Sequence, residues 1–468
     1  MSRVVVLGAG ISGLASAALL AQAGHSVTVL ERNDWVGGKS RRIEVAGQRM
    51  DTGPALVTFP TAWDEFVDTF NSVGPPAEPE QTDLRLELLP ELGEYFFRDT
   101  RTLLPVAPAH PWFEPWIRFA NENADLGDSI GALLTIDPMS TKVLPQVRRI
   151  LSRFGRHITT RSYLKSMTWM PDDLREVIEI HTLNAGVAPK DTLALFAAMT
   201  AVMAVDGIRV PRGGVNEIPQ TLARLARHAG ADIRLGERVT AVKRGLVTTE
   251  HADYTPDVVV SSLDPGVLRT LMTGKPAPWV KRSCSGVAIY GVLKKPLPEH
   301  LVTHSVVMPD DPDDLYAAIG AGRIPKQTMA FVNYYRAGHV YPNTKPTVAV
   351  LLTAPADGQH YTLESPWVRA EIDRISSVLG LSRPIDEGFE DHVVLDPQYF
   401  GEWGGLGGAL YGATHPFWRS GPFHAPGYSS PTRPWLWRVG ASVHPGGGIP
   451  AVLGGSIIAT KRLLKKLR

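Results

Sequence analysis

Three observations predict an α/β protein in which one domain is inserted into another. A strand, glycine turn, helix and strand open the chain, a second glycine turn and helix follow Val210, and short alternating strands cluster after residue 284. The first two patterns suit a parallel-sheet nucleotide domain and the third an antiparallel sheet, so the second unit interrupts the first. A chain of 468 residues is also too long for one hydrophobic core.

Arg3 to Leu7 is a β-branched run, followed by Gly8-Ala9-Gly10-Ile11-Ser12-Gly13 and an alanine- and leucine-rich helix to about Ala23. "HSVTVLE" then reads as a second strand ending in Glu31. In such a unit Gly8 makes the tight turn, Gly10 lets backbone approach a pyrophosphate, and Gly13 lets the helix pack on the strand. Glu31 is spaced to accept hydrogen bonds from a ribose. Next, "RNDWVGGKSRR" supplies Gly37-Gly38 to bend the chain back, with Lys39, Arg41 and Arg42 as donors for phosphate. Asp51, Gly53 and Pro54 follow a short strand in "GQRMDTGPALVTFP".

A proline-rich linker, "VGPPAEPEQTD", leads out of the nucleotide domain. From there to about Val205 helical stretches alternate with extended pieces. The aromatic segment "HPWFEPWIRFANENA" reads as a core stripe of Trp112, Phe113, Trp116 and Phe119, the alternative being a face that enters lipid headgroups. "VPRGGVNEIPQTLARLARHAG" returns to the nucleotide domain through Gly213-Gly214, and "DVVVSSLDP" supplies its next strand. "GVAIYGVL", "HSVVM", "TMAFVNYY", "TVAVLLTA" and "HVVLD" are five candidate strands of the antiparallel sheet. The predicted divisions are 1–75, 206–283 and 420–468 for the nucleotide domain, 76–205 for the helical part of the inserted domain, and 284–419 for its sheet.

Composition narrows the function classes. A formal net charge of +1 with 20% charged residues gives no global field toward nucleic acid, so no nucleic-acid partner is expected. Cys284 is the sole cysteine, which excludes an internal disulfide and multi-cysteine metal sites, and it reads as a packing residue. No metal site is expected. "MSRVVVLGAGISGL" lacks the regions of a signal peptide, which predicts a cytoplasmic protein. No apolar run reaches the roughly 18 residues needed to span a bilayer. The longest, Leu193 to Val205, reads as a buried helix, so any membrane contact is expected to be peripheral.

The order of glycine fingerprint, acidic residue, Gly-Gly-basic run and Asp-x-Gly-Pro resembles the flavoprotein superfamily of amine oxidases, protoporphyrinogen oxidases, carotenoid desaturases and Rab GDP-dissociation inhibitors. That resemblance implies FAD and a Rossmann-like FAD-binding domain. The tail "WRVGASVHPGGGIPAVLGG" is similar to the C-terminal signature of bacterial-type phytoene and carotenoid 3,4-desaturases, which read Gly-Ala-Gly-Thr-His-Pro-Gly-Ala-Gly-Ile-Pro-Gly-Val. Its glycines leave room for the isoalloxazine, and the following helix aims its positive end at the cofactor. The terminal "KRLLKKLR" complements the opposite end of that helix and is a second candidate for contact with anionic lipid. "GALYG" resembles the approach to the flavin. This chain departs from the pattern at Val215-Asn216, where the family carries Thr-Gly, and at Ser442-Val443 before His444.

The resemblance assigns FAD to Gly8, Gly10, Ile11, Ser12, Gly13, Glu31, Arg32, Gly37, Gly38, Lys39, Arg41, Gly53, Pro54, Val239, Gly440, Ala441, Gly448, Ile449 and Pro450. Val239 is assigned to the adenine. His444 is the one catalytic candidate, with a structural role at the turn as the alternative, and His181 is placed along the substrate tunnel or in ordinary packing. The implied reaction is desaturation of a carotenoid taken from the membrane, either phytoene or a later hydroxylated or monocyclic one, with quinone or oxygen receiving the electrons. Rival readings are an amine or porphyrinogen oxidase, a polyene isomerase or saturase, and a non-enzymatic isoprenoid-lipid carrier.

Overall fold

The β-branched run Arg3–Leu7 lies at the centre of a six-stranded sheet in a computed structural model that describes residues 1–89, 91–278, 280–402, 405–414 and 425–467. The sheet order is Ser429–Ser430, Arg433–Arg438, Val258–Ser261, Arg3–Leu7, Ser26–Leu30 and Asp232–Arg234. All pairs are parallel except the first. The chain leaves the central strand through the Ile11–Gln22 helix toward one side, and its other neighbour, Val258–Ser261, comes from far along the sequence. Strand order therefore reverses at Leu7, and the carboxyl ends of such strands form the crevice that receives ligands. The helix is buried on nearly every face, which explains its lack of amphipathic pattern.

The five strands read after residue 284 are all present, as Ser285–Leu293, His304–Val307, Ala330–Tyr335, Thr347–Ala354 and Phe389–Leu395. They join a seven-stranded sheet completed by Gly93–Phe97 and Thr100–Leu104 from the 76–205 segment. Sequence reasoning had no partner for these two strands, because Gly93–Phe97 pairs parallel with His304–Val307 across two hundred intervening residues. The expected boundary at 419 and 420 lies outside the described residues.

The aromatic stripe belongs to the core: Trp116 and Phe119 are fully buried within the Phe113–Asn123 helix and Trp112 nearly so. Burying those rings against the Leu195–Asp206 helix removes the candidate lipid face at this place. No described helix is long and apolar enough to cross a membrane. Cys284 is buried, and burial pushes its thiol up to about 12, which keeps it unreactive.

Candidate cofactor and active site

The first glycine turn is shaped by sterics. Gly8 has φ +91°, and a Cβ there would stand 2.7 Å from Ser262 Oγ. A Cβ on Gly13 would fall 2.0 Å from the Gly8 carbonyl oxygen, so only glycine lets the helix begin this close to the strand. Gly37 folds back over the turn, its N–H donating to the Ala9 carbonyl at 2.8 Å, and Gly38 lies against Gly10. Gly53 closes the third side, with a would-be Cβ 2.4 Å from the Lys39 carbonyl. Pro54 follows it, and the Gly53 N–H donates to the Tyr290 hydroxyl at 3.2 Å, tying this loop to the seven-stranded sheet.

Glu31 follows the second strand directly, buried beside the turn. Its carboxylate accepts from Ala9 N–H at 2.8 Å and Asn33 N–H at 3.0 Å. Burial raises its pKa and these backbone donors partly offset the rise. Glu237 N–H donates to the Glu31 carbonyl at 2.7 Å, which brings Val239 to the same end of the sheet.

The basic residues have protein partners. Arg32 donates to the Glu402 carbonyl. Arg41 stacks over Trp35 at 4.2 Å and donates to the Tyr399 hydroxyl at 2.6 Å. Lys39 Nζ donates to the Ala409 and Leu410 carbonyls at 3.0 and 2.6 Å. Although the Lys39 side chain is exposed along its length, protein surrounds the ammonium and desolvation holds it down to about 8, with Asp264 opposing. Rehydration or an anionic group beside the ammonium would raise it again.

Asp51 anchors the second glycine turn. Its side chain is 1% exposed and accepts from Arg42 Nε at 2.8 Å. The Asn216 N–H donates to its other oxygen at 2.8 Å, and Asn216 Nδ2 donates to the Ser40 carbonyl at 2.9 Å. Asn216, a departure from the family pattern, thus fastens the middle of the chain to the first nucleotide loop.

The C-terminal signature lies directly on the N-terminal turn. A Cβ on Gly440 would stand 3.5 Å from the Ser262 carbonyl and 3.7 Å from Ser12 Oγ, and Ala441 follows it. Ile11 and Ser12 begin the first helix, and Ser456 Oγ donates to the Ser12 carbonyl at 3.2 Å. The terminal helix starts at Ile449 with Pro450 in its first turn, where no N–H is needed. Val452 N–H closes that turn on the Gly448 carbonyl at 2.9 Å, leaving the preceding N–H groups without intrahelical acceptors.

His444 holds the turn through its backbone: its N–H donates to the Pro426 carbonyl at 3.0 Å and its carbonyl accepts from Tyr428 Oη at 2.9 Å. Burial alone would raise the Asp137 carboxyl. The Arg462 hydrogen bond, the Met139 N–H and the Arg462 charge bring it below its ordinary range. His181 is buried with Nε2 2.9 Å from Tyr95 Oη, and burial lowers its pKa to about 4.

One organising residue escaped notice inside "GALYG". The Tyr411 ring lies between Gly447 of the signature and Gly186 of the inserted domain, where added Cβ atoms would fall 2.6 and 2.8 Å from it. Its N–H donates to Ser283 Oγ at 3.0 Å. Segment 409–412 therefore meets Lys39, Ser283, Ser442 and Gly447 together. Only the glycines on either side of the ring hinted at this in the sequence.

The donor set and space suit a dinucleotide cofactor. Gly8, Gly13, Gly37 and Gly53 are packed against protein, whereas Cβ atoms added at Gly10, Gly446 and Gly448 would meet nothing within 4 Å. Gly10 thus borders the open space at the carboxyl end of the central strand, beside the buried Glu31 carboxylate and the N-terminus of the Ile11–Gln22 helix.

A mostly parallel sheet with this glycine turn, completed by the far end of the chain, defines a dinucleotide-binding protein. Residues 11–296, more than half of the chain, match the family described as flavin containing amine oxidoreductase, and the chain belongs to it. Its cofactor is FAD. The chain is 29% identical over 496 residues to the zeta-carotene-forming phytoene desaturase of Myxococcus xanthus, covering 99% of this chain and 94% of that protein. It is 26% identical over 493 residues to the 1-hydroxycarotenoid 3,4-desaturase of a Flavobacterium species, covering 97% of both. A putrescine oxidase with putrescine bound shares the fold at a TM-score of 0.64 and 17% identity, over 100% of this chain and 98% of the other.

Proposed function

We propose that the protein desaturates a carotenoid, phytoene or a later hydroxylated or monocyclic one. The observation that carries this reading is the likeness to two carotenoid desaturases over nearly their whole lengths. The C-terminal turn seated on the nucleotide turn supplies the geometry. A bound FAD would supply the hydride acceptor for a saturated C–C unit whose neighbouring carbon gives up a proton to solvent, leaving a new double bond.

The chain binds and orients. Backbone at Gly8, Gly10, Ile11, Ser12 and Gly13 would hold the pyrophosphate, with Gly37, Gly38, Gly53 and Pro54 folded around it. Glu31 would take the ribose, Val239 the adenine, and Arg32, Lys39 and Arg41 would steady the surrounding loops. Gly440, Ala441, Gly448, Ile449 and Pro450 would leave room for the flavin and turn a helix end toward it. The allylic C–H bonds of a polyene are too weakly acidic for ordinary carboxylate catalysis, so the reading asks the chain to orient the substrate and exclude water. His181, with its pKa near 4, takes up no proton at neutral pH. His444 positions the turn.

A hydrocarbon substrate resides in lipid, so the reading includes peripheral attachment to a membrane on the cytoplasmic side, with a quinone or oxygen as electron acceptor. An anaerobic visible spectrum of the flavin-loaded protein, before and after adding phytoene in liposomes, tests it. Bleaching of the oxidised-flavin band with new polyene absorption is the expected result. A flavin spectrum indifferent to phytoene and to 1-hydroxycarotenoids alike would defeat the reading.

A further inference from the structure

The exposed large apolar side chains of this protein are unevenly placed. Met139, Leu144, Leu151 and Ile158 fall within twenty residues of one another, at 51%, 43%, 59% and 57% exposure. They surround the Leu144–Phe154 helix, whose inward face buries Ile150 and Phe154. Leu144, Arg148 and Leu151 stand at i, i+4 and i+7, so they share the outward face. Two arginines on its flank, Arg149 and Arg153, share the single carboxylate of Asp125 at 3.1 Å each, which leaves the trio with one net positive charge. Lys142, Arg148 and Arg156 are exposed and make no salt bridge among the described residues. In a chain of net charge +1, this combination is local.

We infer that this face seats the protein on an anionic lipid surface. The inference takes its occupant from the functional reading above, in which the substrate is dissolved in lipid. Leu144, Arg148 and Leu151 on one helix face, flanked in the adjoining turns by exposed Met139, Lys142, Arg156 and Ile158, match the headgroup boundary, where leucines enter the acyl region and cations meet phosphate. A second copy of the chain fits poorly, because a two-fold contact would set Lys142, Arg148 and Arg156 against their own counterparts. Of the other two lipid-facing candidates, one is buried and the other keeps exposed Lys465 among cations that have protein contacts. The aromatic stripe is in the core, and in the terminal helix Lys461 pairs with Glu65, Arg462 with Asp137, and Lys466 lies over Trp437.

The face also connects to the cofactor crevice. The Leu144–Phe154 helix packs on Gly127–Thr135, which packs on the terminal helix so closely that a Cβ on Gly454 would stand 2.1 Å from the Leu134 carbonyl. One helix layer separates the docking face from the helix that begins at the flavin turn.

The test is sedimentation of the flavin-loaded protein with vesicles of phosphatidylcholine alone or mixed with phosphatidylglycerol. The parent is expected to bind the anionic vesicles preferentially. Lys142→Gln, Arg148→Gln and Arg156→Gln together should weaken that binding about a hundredfold, at about fivefold per cation. Leu144→Ser with Leu151→Ser should weaken it as well, while flavin content and melting temperature stay at parental values. Equal binding to neutral and anionic vesicles, unaltered binding by both variants, or a concentration-dependent dimer dissolved by the same substitutions would each overturn the inference. Phytoene conversion in detergent micelles is read separately. Vesicle binding as expected without conversion defeats the functional reading alone, and conversion with indifferent variants defeats the docking face alone.

Discussion

The nucleotide half and the inserted half of this molecule are built under different constraints. In the first, backbone lies on backbone: Gly13 against Gly8, Gly53 against Lys39, and Gly440 against Ser262. In the second, apolar side chains fill the space between sheet and helices, as Val287, Val350 and Ile372 do with no exposure. Backbone contact tolerates no added atom, whereas a side-chain core tolerates exchange of similar volumes. The lesson is that function here rests where substitution is least forgiving.

Asp51 offers the largest expected contrast. Replacing it with alanine leaves the buried Asn216 N–H unpaired and Arg42 with only Glu217 and the Gly213 carbonyl, and should cost about 3 kcal/mol in chemical denaturation. Glu390→Ala, which breaks an exposed pair with Lys345 in the inserted half, should cost less than about 1 kcal/mol. Equal losses would erase the distinction between the halves.

Gly13→Ala should cost about 3 kcal/mol by overpacking and yield protein without flavin. Gly10→Ala sharpens the point, because its Cβ meets no protein atom. Stability should change by no more than about 0.5 kcal/mol, with flavin nonetheless absent after purification. A flavin-replete Gly10→Ala protein would show that the crevice is not the cofactor site.

Tyr411 joins the halves, so its loss should appear in turnover. Tyr411→Ala should retain flavin and lower kcat by about tenfold to a hundredfold through misplacement of the two domains. Tyr411→Phe keeps the ring between Gly186 and Gly447 and should restore most of the rate. If the phenylalanine variant is as slow as alanine, the hydroxyl and not the ring has the role.

The last effect is one of pH. Burial lowers His181 and His304 to about 4, so between 6.5 and 4 the unfolded chain holds protons that the folded one lacks. Stability then rises with pH across that window and is lost as pH falls from 6.5 toward 4. Glu31 and Asp51, with raised pKa values, act in the opposite sense at the acid end, so the histidine share is read by difference. His304→Gln should flatten the decline of melting temperature with acidity, and an unchanged slope would refute the buried neutral imidazole.

Local rules made the nucleotide turn legible, because Gly8, Gly10, Gly13 and Glu31 obey a fixed spacing within one strand, helix and strand. The five later strands were legible from alternation. Gly93–Phe97 was not assigned to their sheet, since its pairing with His304–Val307 is parallel and remote. Tyr411 was not singled out, because its importance lies in two glycines that no sequence spacing links to it.

By itself the sequence determined the α/β class, the dinucleotide turn and the order of motifs at both ends, since each depends on short-range sterics and hydrogen bonding. Only the tertiary structure decided that the two ends meet at Ser12 and Gly440, that Asn216 clasps Asp51, and that the aromatic stripe is core while the Leu144–Phe154 helix is left with an apolar, cationic outer face. These depend on which surfaces bury one another across hundreds of residues, and burial is a property of the packed chain, not of any segment within it.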